Sequence, residues 1–205
     1  MKPLDTTWNG GSLKMKVKTK LKSLIFLLAL LIGLSFSSQA EARQGWVLGV
    51  QVSGSIFLTN AVPDMDPGPG FGIDLQYRFN QRWALETNLS ASFHDGRDAF
   101  ENDSGIFLSL PTAELKLYLF GQESKVEPYV LAGLGIYVLT EGALNNNTGG
   151  VGLGGTFGAG LDYYLSDRFS LGFAAKFRPT ALIQGNGAST GLINFATIIS
   201  GDWHF

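Results

Sequence analysis

The chain has 205 residues with no cysteine, 45% apolar residues and only 16% charged ones, a charged share below the roughly 25% usual for soluble domains. The missing cysteine excludes disulfides, thiolate metal sites and cysteine nucleophiles. Six of the fifteen basic residues are Lys2, Lys14, Lys16, Lys18, Lys20 and Lys22, so beyond Ala42 nine Lys or Arg face fifteen Asp or Glu, about −6, which argues against nucleic acid as a partner.

Residues 1–14 read as an upstream extension, with Met15 a second candidate start. From Met15 to Ala42, "MKVKTKLKSLIFLLALLIGLSFSSQAEA" runs from a basic segment through an apolar stretch at Leu24–Leu34 to small residues ending Ala40-Glu41-Ala42. That order is a secretory signal peptide, and the apolar stretch is too short for a membrane-spanning helix. Residues 43–205 then form the mature domain, exported from the cytoplasm.

From Gly45 onward the pattern has period 2, the mark of strands. The first segment sets Trp46, Leu48, Val50, Val52, Ile56 and Leu58 against Gly49, Gln51, Ser53 and Ser55. The second opposes Phe71, Ile73, Leu75, Tyr77 and Phe79 to Asp74, Gln76 and Arg78, and the third Trp83, Leu85, Leu89 and Phe93 to Glu86, Asn88, Ser90 and Ser92. The fourth carries Ala113, Leu115, Leu117 and Leu119 against Glu114, Lys116 and Tyr118. The fifth sets Val130, Ala132, Leu134, Ile136 and Val138 against Tyr129 and Tyr137, and the sixth Phe157, Ala159, Leu161, Tyr163 and Leu165 against Asp162 and Tyr164. In the seventh Phe169, Leu171, Phe173, Ala175 and Phe177 oppose Ser170, Lys176 and Arg178. The eighth opposes Ile193, Phe195, Ile199, Trp203 and Phe205 to Asn194, Ser200, Asp202 and His204.

Eight strands are therefore predicted. Long connections ("TNAVPDMDPGPG", "DGRDAFENDSG", 140–155 and 179–191) alternate with short ones (Asn80-Gln81-Arg82, "FGQESKVEP", Ser166-Asp167-Arg168). The fold class is all-β: an eight-stranded antiparallel up-and-down transmembrane β-barrel, long loops at one end and short turns at the other. All the charged strand residues in this reading, Asp74, Arg78, Glu86, Glu114, Lys116, Asp162, Lys176, Arg178 and Asp202, share the face opposite the apolar set. A lipid-facing charge costs about 2–4 kcal/mol at the midplane, so this sorting predicts a lumenal polar network. A soluble barrel with an apolar inside would instead carry long solvated side chains where this one has Gly, Ser and Ala.

Trp46, Tyr77, Trp83, Tyr163, Phe169, Trp203 and Phe205 fall at the short-turn end of the apolar face and predict a periplasmic aromatic girdle. Carried upward without a bulge, the alternation turns Phe57, Leu108 and Leu110 inward as an apolar neck; a bulge at Pro111 would return the two leucines to lipid. The GxGxxG at Gly150, Gly152 and Gly155 has no helix after it to hold a pyrophosphate, and reads as loop glycine. His94 beside Asp95 and Asp98 suggests a metal ligand or a base, yet an acidic surface loop explains it as well; inward His204 beside Asp202 has no serine partner that the sequence places. Asp64, Asp66, Asp98, Glu101 and Asp103 read as solvated loop acids. No catalytic, cofactor or metal site is assigned.

The terminal aromatic-x-Phe (Trp203, Phe205), "EPYVLAGLGIYV" and "GAGLDYYLSDRFSLGFAAKF" resemble the small eight-stranded outer-membrane barrels of the OmpA and OmpX type, and "LPTAELKLYLF" with "PYVLAGLGIYV" is similar to the OmpW branch. The resemblance covers residues 43–205. It implies an integral, non-enzymatic protein of the bacterial outer membrane, with outer-membrane lipid and lipopolysaccharide as surroundings. It also implies that Trp203 and Phe205 are an assembly signal read by the barrel-assembly machinery; Gly201 stands one position from the glycine of the usual terminal signal. The alternative it implies is an OmpW-like narrow channel for small hydrophobic or uncharged solutes. A lipid A-modifying barrel enzyme is the third and least favoured reading.

Overall fold

The computed structural model describes residues 43–59, 65–95, 104–120, 124–140 and 149–205. The predicted extension, the signal peptide and the loop acids Asp64, Asp98, Glu101 and Asp103 lie outside the described residues. The eight strands are β1 (Gly45–Phe57), β2 (Gly68–Arg78), β3 (Trp83–His94), β4 (Gly105–Tyr118), β5 (Val126–Leu139), β6 (Gly150–Ser166), β7 (Phe169–Gln184) and β8 (Ser189–His204). Each pairs antiparallel with its sequence neighbours, and β1 pairs with β8 from Val47↔His204 to Phe57↔Asn194, closing the barrel. The Phe205 amide donates to the Trp46 carbonyl at 2.9 Å, completing the seam.

The accessibility pattern is the reverse of that of a water-soluble barrel. Every strand turns large apolar side chains outward, among them Val50, Phe71, Leu85, Leu115, Leu134, Leu153, Phe173 and Ile199. Arg78, Glu86, Glu114, Lys116, Asp162 and Lys176 are buried inside. An apolar wall this extensive needs hydrocarbon around it. Trp46, Tyr77, Trp83, Tyr163, Trp203 and Phe205 are exposed and Phe169 half-exposed at the short-turn end. Trp46 lies 4.9 Å from Tyr77 and Phe169 6.1 Å from Trp203 between ring centroids.

Three details differ from the sequence reading. Gly150, Gly152 and Gly155 stand within β6 and not in a loop: Val151 and Leu153 continue the outward apolar parity, Gly150 and Gly152 occupy the inner one, and Gly155 shares the outward parity of Leu153 and Phe157. Pro179 does not end β7. It interrupts the β6–β7 ladder, whose pairs pass from Gly154↔Thr180 to Phe157↔Phe177, and the strand continues to Gln184. The connection to β8 is accordingly a tight turn over residues 185–188, closed by Gln184 N–H to Ala188 O at 2.8 Å, with Gly187 at a φ of 82°. That positive φ is what calls for glycine there.

The third difference is the neck. A register shift between Ser109 and Thr112 puts Leu110 and Pro111 outward in succession, the signature of a bulge at the proline. Leu110 is therefore 37% exposed and Leu108 half-exposed on the outer face, while Phe107 turns inward at 1%. Of the three residues predicted for the neck, Phe57 alone packs against the lumenal apolar cluster.

Candidate functional site

The lumen holds the chemistry-bearing side chains, stacked in layers. At the short-turn mouth, Arg78 Nη1 on β2 donates to Glu127 Oε2 on β5 at 2.6 Å and to Tyr164 Oη on β6 at 3.0 Å. Its Nη2 and Nε reach the Gln81 and Asn80 carbonyls at 2.7 and 3.3 Å, and its guanidinium lies 3.9 Å from the Tyr118 ring centroid. Arg43 Nη1 donates to the other Glu127 oxygen at 2.8 Å and stacks on Tyr164. Glu127 falls within the predicted connection "FGQESKVEP", whereas β5 already begins at Val126. Its parity with Tyr129, two residues on, is the signal that places it inside.

Above this mouth lies a second ionic layer. Glu86 on β3 accepts from Lys116 on β4 and, at 3.1 Å, from Lys176 on β7. Lys176 also reaches Glu114 on β4 at 2.6 Å. In an eight-strand ring β7 and β3 are diametrically opposite, so the Lys176–Glu86 pair crosses the whole lumen. Arg78 to Tyr164 likewise joins opposite strands. Asp162 accepts from Tyr118 Oη at 2.8 Å and Asp202 from Ser200 Oγ at 3.0 Å. Asp74 and Asp202 flank Gly49 as its register partners on the two sides. A Cβ there would meet Asp202 Oδ1 at 2.5 Å, so glycine makes room for the carboxylates. The inner glycines of β6 do the same for rings: a Cβ at Gly160 would lie 2.6 Å from Tyr129 Oη, and one at Gly154 2.8 Å from Tyr137 Cε2.

Arg178 follows Lys176 by two residues on the same inner face of β7. It is 4% exposed, and its Nε has no hydrogen-bond partner among the described residues. Above it the lining becomes apolar. Phe107, Tyr137, Leu139, Leu182 and Leu192 form one buried cluster, joined by Phe57. Phe107 stacks on Tyr137 at 5.5 Å and meets Phe57 edge-on at 5.6 Å. Met65, from the β1–β2 connection, inserts into this cluster from the long-loop end. Sequence reasoning missed Met65, since a lone methionine in a Pro- and Asp-rich loop carries no periodic signal.

The histidines sit at opposite ends of the barrel. His94 Nε2 lies 3.1 Å from Ser55 Oγ and 3.0 Å from Ser92 Oγ, and its Nδ1 lies 3.0 Å from the Asp66 carbonyl. This arrangement ties the β1–β2 connection to β3, and it gives Asp66 a structural role beyond that of a solvated acid. His204 Nε2 lies 2.8 Å from Ser170 Oγ, a partner that the sequence did not place, while Nδ1 has no hydrogen-bond partner among the described residues. A nucleophile–base pair needs its base oriented by a third group, which His204 lacks here. The GxGxxG glycines are paired strand residues facing neither a helix N-terminus nor a loop cradle.

The family model for the outer membrane protein beta-barrel domain matches residues 26–196. Among solved structures, the chain is similar to the crystal structure of Neisserial surface protein A (NspA), at 14% identity over 79% of this chain and 98% of that one, with a TM-score of 0.54. It is similar to outer membrane protein OprG from Pseudomonas aeruginosa at 16% identity, covering 79% and 96%, with a TM-score of 0.51. Outer membrane protein AlkL, solved in DMPC lipid bilayers, gives 17% identity, 82% and 94% coverage and a TM-score of 0.53. Likeness at these identities carries the fold. No curated protein matches the chain.

Proposed function

This chain belongs to the outer membrane protein β-barrel domain family, and from that premise we propose that it is a non-enzymatic, plugged membrane barrel. It serves as a rigid mount that presents its longer connections at the cell surface and keeps its short turns in the periplasm. The observation that carries this reading is the pair of cross-braces. Lys176–Glu86 at 3.1 Å and Arg78–Tyr164 at 3.0 Å join opposite walls at two levels, and the Met65-capped apolar cluster closes a third. Side chains that meet across the axis of an eight-stranded barrel leave a filled core. On the same reading, residues 15–42 are the export signal, Trp203 and Phe205 are the strand end read by the assembly machinery, and lipopolysaccharide and outer-membrane lipid are the surroundings.

The test is single-channel recording in planar bilayers. The purified barrel is expected to be electrically silent, and steady unitary openings would overturn the plug. A second reading, a narrow conduit for small apolar or uncharged solutes, draws support from the apolar cluster at the long-loop end. It predicts saturable uptake of such solutes into vesicles containing the barrel; uptake equal to that of empty vesicles refutes it. The enzymatic reading predicts altered lipid A on overexpression, lost in His204→Ala, and the unoriented His204 argues against it.

A further inference from the structure

Between the Lys176 brace and the apolar cluster the lumen has a polar waist. On β4, Thr112 and Ser109 stand between Glu114 of the brace and Phe107 of the cluster, and on β7 Arg178 stands between Lys176 and Leu182. The inner parity of β1–β3 is small at this level. Ser53 pairs with Gly70 and Gly70 with Ser92; one row lower, Gln51 pairs with Gly72 and Gly72 with Ser90. The interior of an eight-stranded barrel is filled by the side chains its strands turn inward, and walls of glycine and serine supply little volume.

The same waist collects buried polar atoms that have no hydrogen-bond partner among the described residues. On β3 and β4 they are Asn88 Nδ2 and Oδ1, Ser109 Oγ, Thr112 Oγ1 and Glu114 Oε1, with Asn88 the register partner of Thr112. On β7 and β8 they are Arg178 Nε and Asn194 Oδ1, again on register partners. Gln51 Nε2 on β1 is another, lying over Gly72, where a Cβ would meet it at 2.6 Å. All of these side chains are more than nine-tenths buried. In the ring β3 lies opposite β7 and β4 opposite β8, so the two groups confront each other across the axis.

A buried polar group left dry costs free energy, and native interiors pair nearly all of them with protein or ordered water. The balance of donors and acceptors identifies the partner. Gln51 Nε2, Asn88 Nδ2 and Arg178 Nε only donate; Asn88 Oδ1, Asn194 Oδ1 and the ionised Glu114 Oε1 only accept; the two hydroxyls do either. A cation would serve the acceptors alone and an anion the donors alone. Water serves both, and at about three hydrogen bonds per molecule a group of about three completes these eight atoms.

We propose that the waist is a binding site for a cluster of internal waters, which bridges the β3–β4 and β7–β8 walls and hydrates Arg178. The barrel interior is wet at mid-height and dry above, where Phe107, Leu182 and Leu192 separate it from the long-loop end. This goes beyond the plug reading, and the two fail separately. An open pore would wet Leu182 together with Arg178, whereas a wholly dry plug would wet neither.

The test is solid-state NMR of the isotope-labelled barrel in hydrated DMPC bilayers, with proton magnetisation started on water and read at assigned sites. The Arg178 Nε signal is identified by its loss in Arg178→Lys. In wild type, build-up at Arg178 Nε, Ser109 and Thr112 should be at least about threefold faster than at Leu182 and Leu139 of the apolar cluster, and close to that at the exposed Arg82 and Arg168. Removing both β4 hydroxyls, in Ser109→Ala with Thr112→Val, takes away part of the water's support from the opposite wall and should slow build-up at Arg178 Nε at least about twofold. Heat-modifiable gel mobility checks that this variant is folded, and the wild-type comparison decides alone where it is not. Equal build-up at Arg178 Nε and Leu182, whether slow or fast, would overturn the proposal, as would an undiminished rate at Arg178 Nε in the folded double variant.

Discussion

Replacing Lys176 with methionine tests the cross-lumen brace most directly. Lys176 serves two carboxylates of unequal dependence. Glu86 keeps Lys116 when Lys176 is lost. Glu114 does not: its Oε2 relies on Lys176 at 2.6 Å, its Oε1 has no partner among the described residues, and the side chain is fully buried. Lys176→Met therefore strands one carboxylate, a change that costs about 3–5 kcal/mol in buried sites. With a urea slope of about 2 kcal/mol per molar, the midpoint should fall by about 1.5–2.5 M. Removing the stranded charge as well, in Lys176→Met with Glu114→Gln, should restore the midpoint to within about 0.5 M of wild type, because a neutral pair carries no desolvation debt. The assay is equilibrium urea unfolding in lipid vesicles, followed by tryptophan fluorescence, with the two single variants and the double variant forming a cycle. A single-variant shift below about 0.5 M, or a double variant no better than Lys176→Met, would refute the assignment of the brace.

Leu134, among the most exposed outward side chains at 74%, tests the surroundings of the wall; Leu134→Arg should cost about 2–4 kcal/mol of stability in lipid vesicles, and a neutral effect there would argue against hydrocarbon at that position. Gly160→Ala forces a methyl group against Tyr129 Oη and should cost about 1–3 kcal/mol by overpacking, measured as a lowered urea midpoint. Deleting Phe205 removes the amide bonded to Trp46 O and the terminal ring; the fraction migrating as folded barrel on unheated gels should fall, and unchanged folding would count against the seam and the assembly signal alike.

Most of the barrel was legible because lipid and lumen impose opposite chemistry on alternating residues. Where both parities carry side chains, as at Ala84–Leu89 or Phe173–Phe177, the alternation reads directly. It failed where the inner parity is glycine, at Gly150, Gly152 and Gly154, because a residue without a side chain marks no face. It failed again at Pro179, where a missing N–H interrupts one ladder without ending the strand. The bulge at Pro111 was visible as an alternative, but only the register chooses which side Leu108 and Leu110 occupy. The partners of each lumenal charge were not legible at all. Lys176 meets Glu86 from the far side of the ring, and no local spacing encodes a diameter.

The seam between β1 and β8 has a consequence for how the molecule comes into being. Val47 is matched to His204, nearly the full length of the domain away along the chain, and the match runs on to Phe57 and Asn194. Until β8 is synthesised, the earliest hairpin keeps an unpaired rim of amides and carbonyls that a bilayer interior will not tolerate. Insertion is thus contingent on a chain that reaches β8, so a product terminated before that strand has no stable place in the membrane. Such remote matching also makes unaided maturation slow.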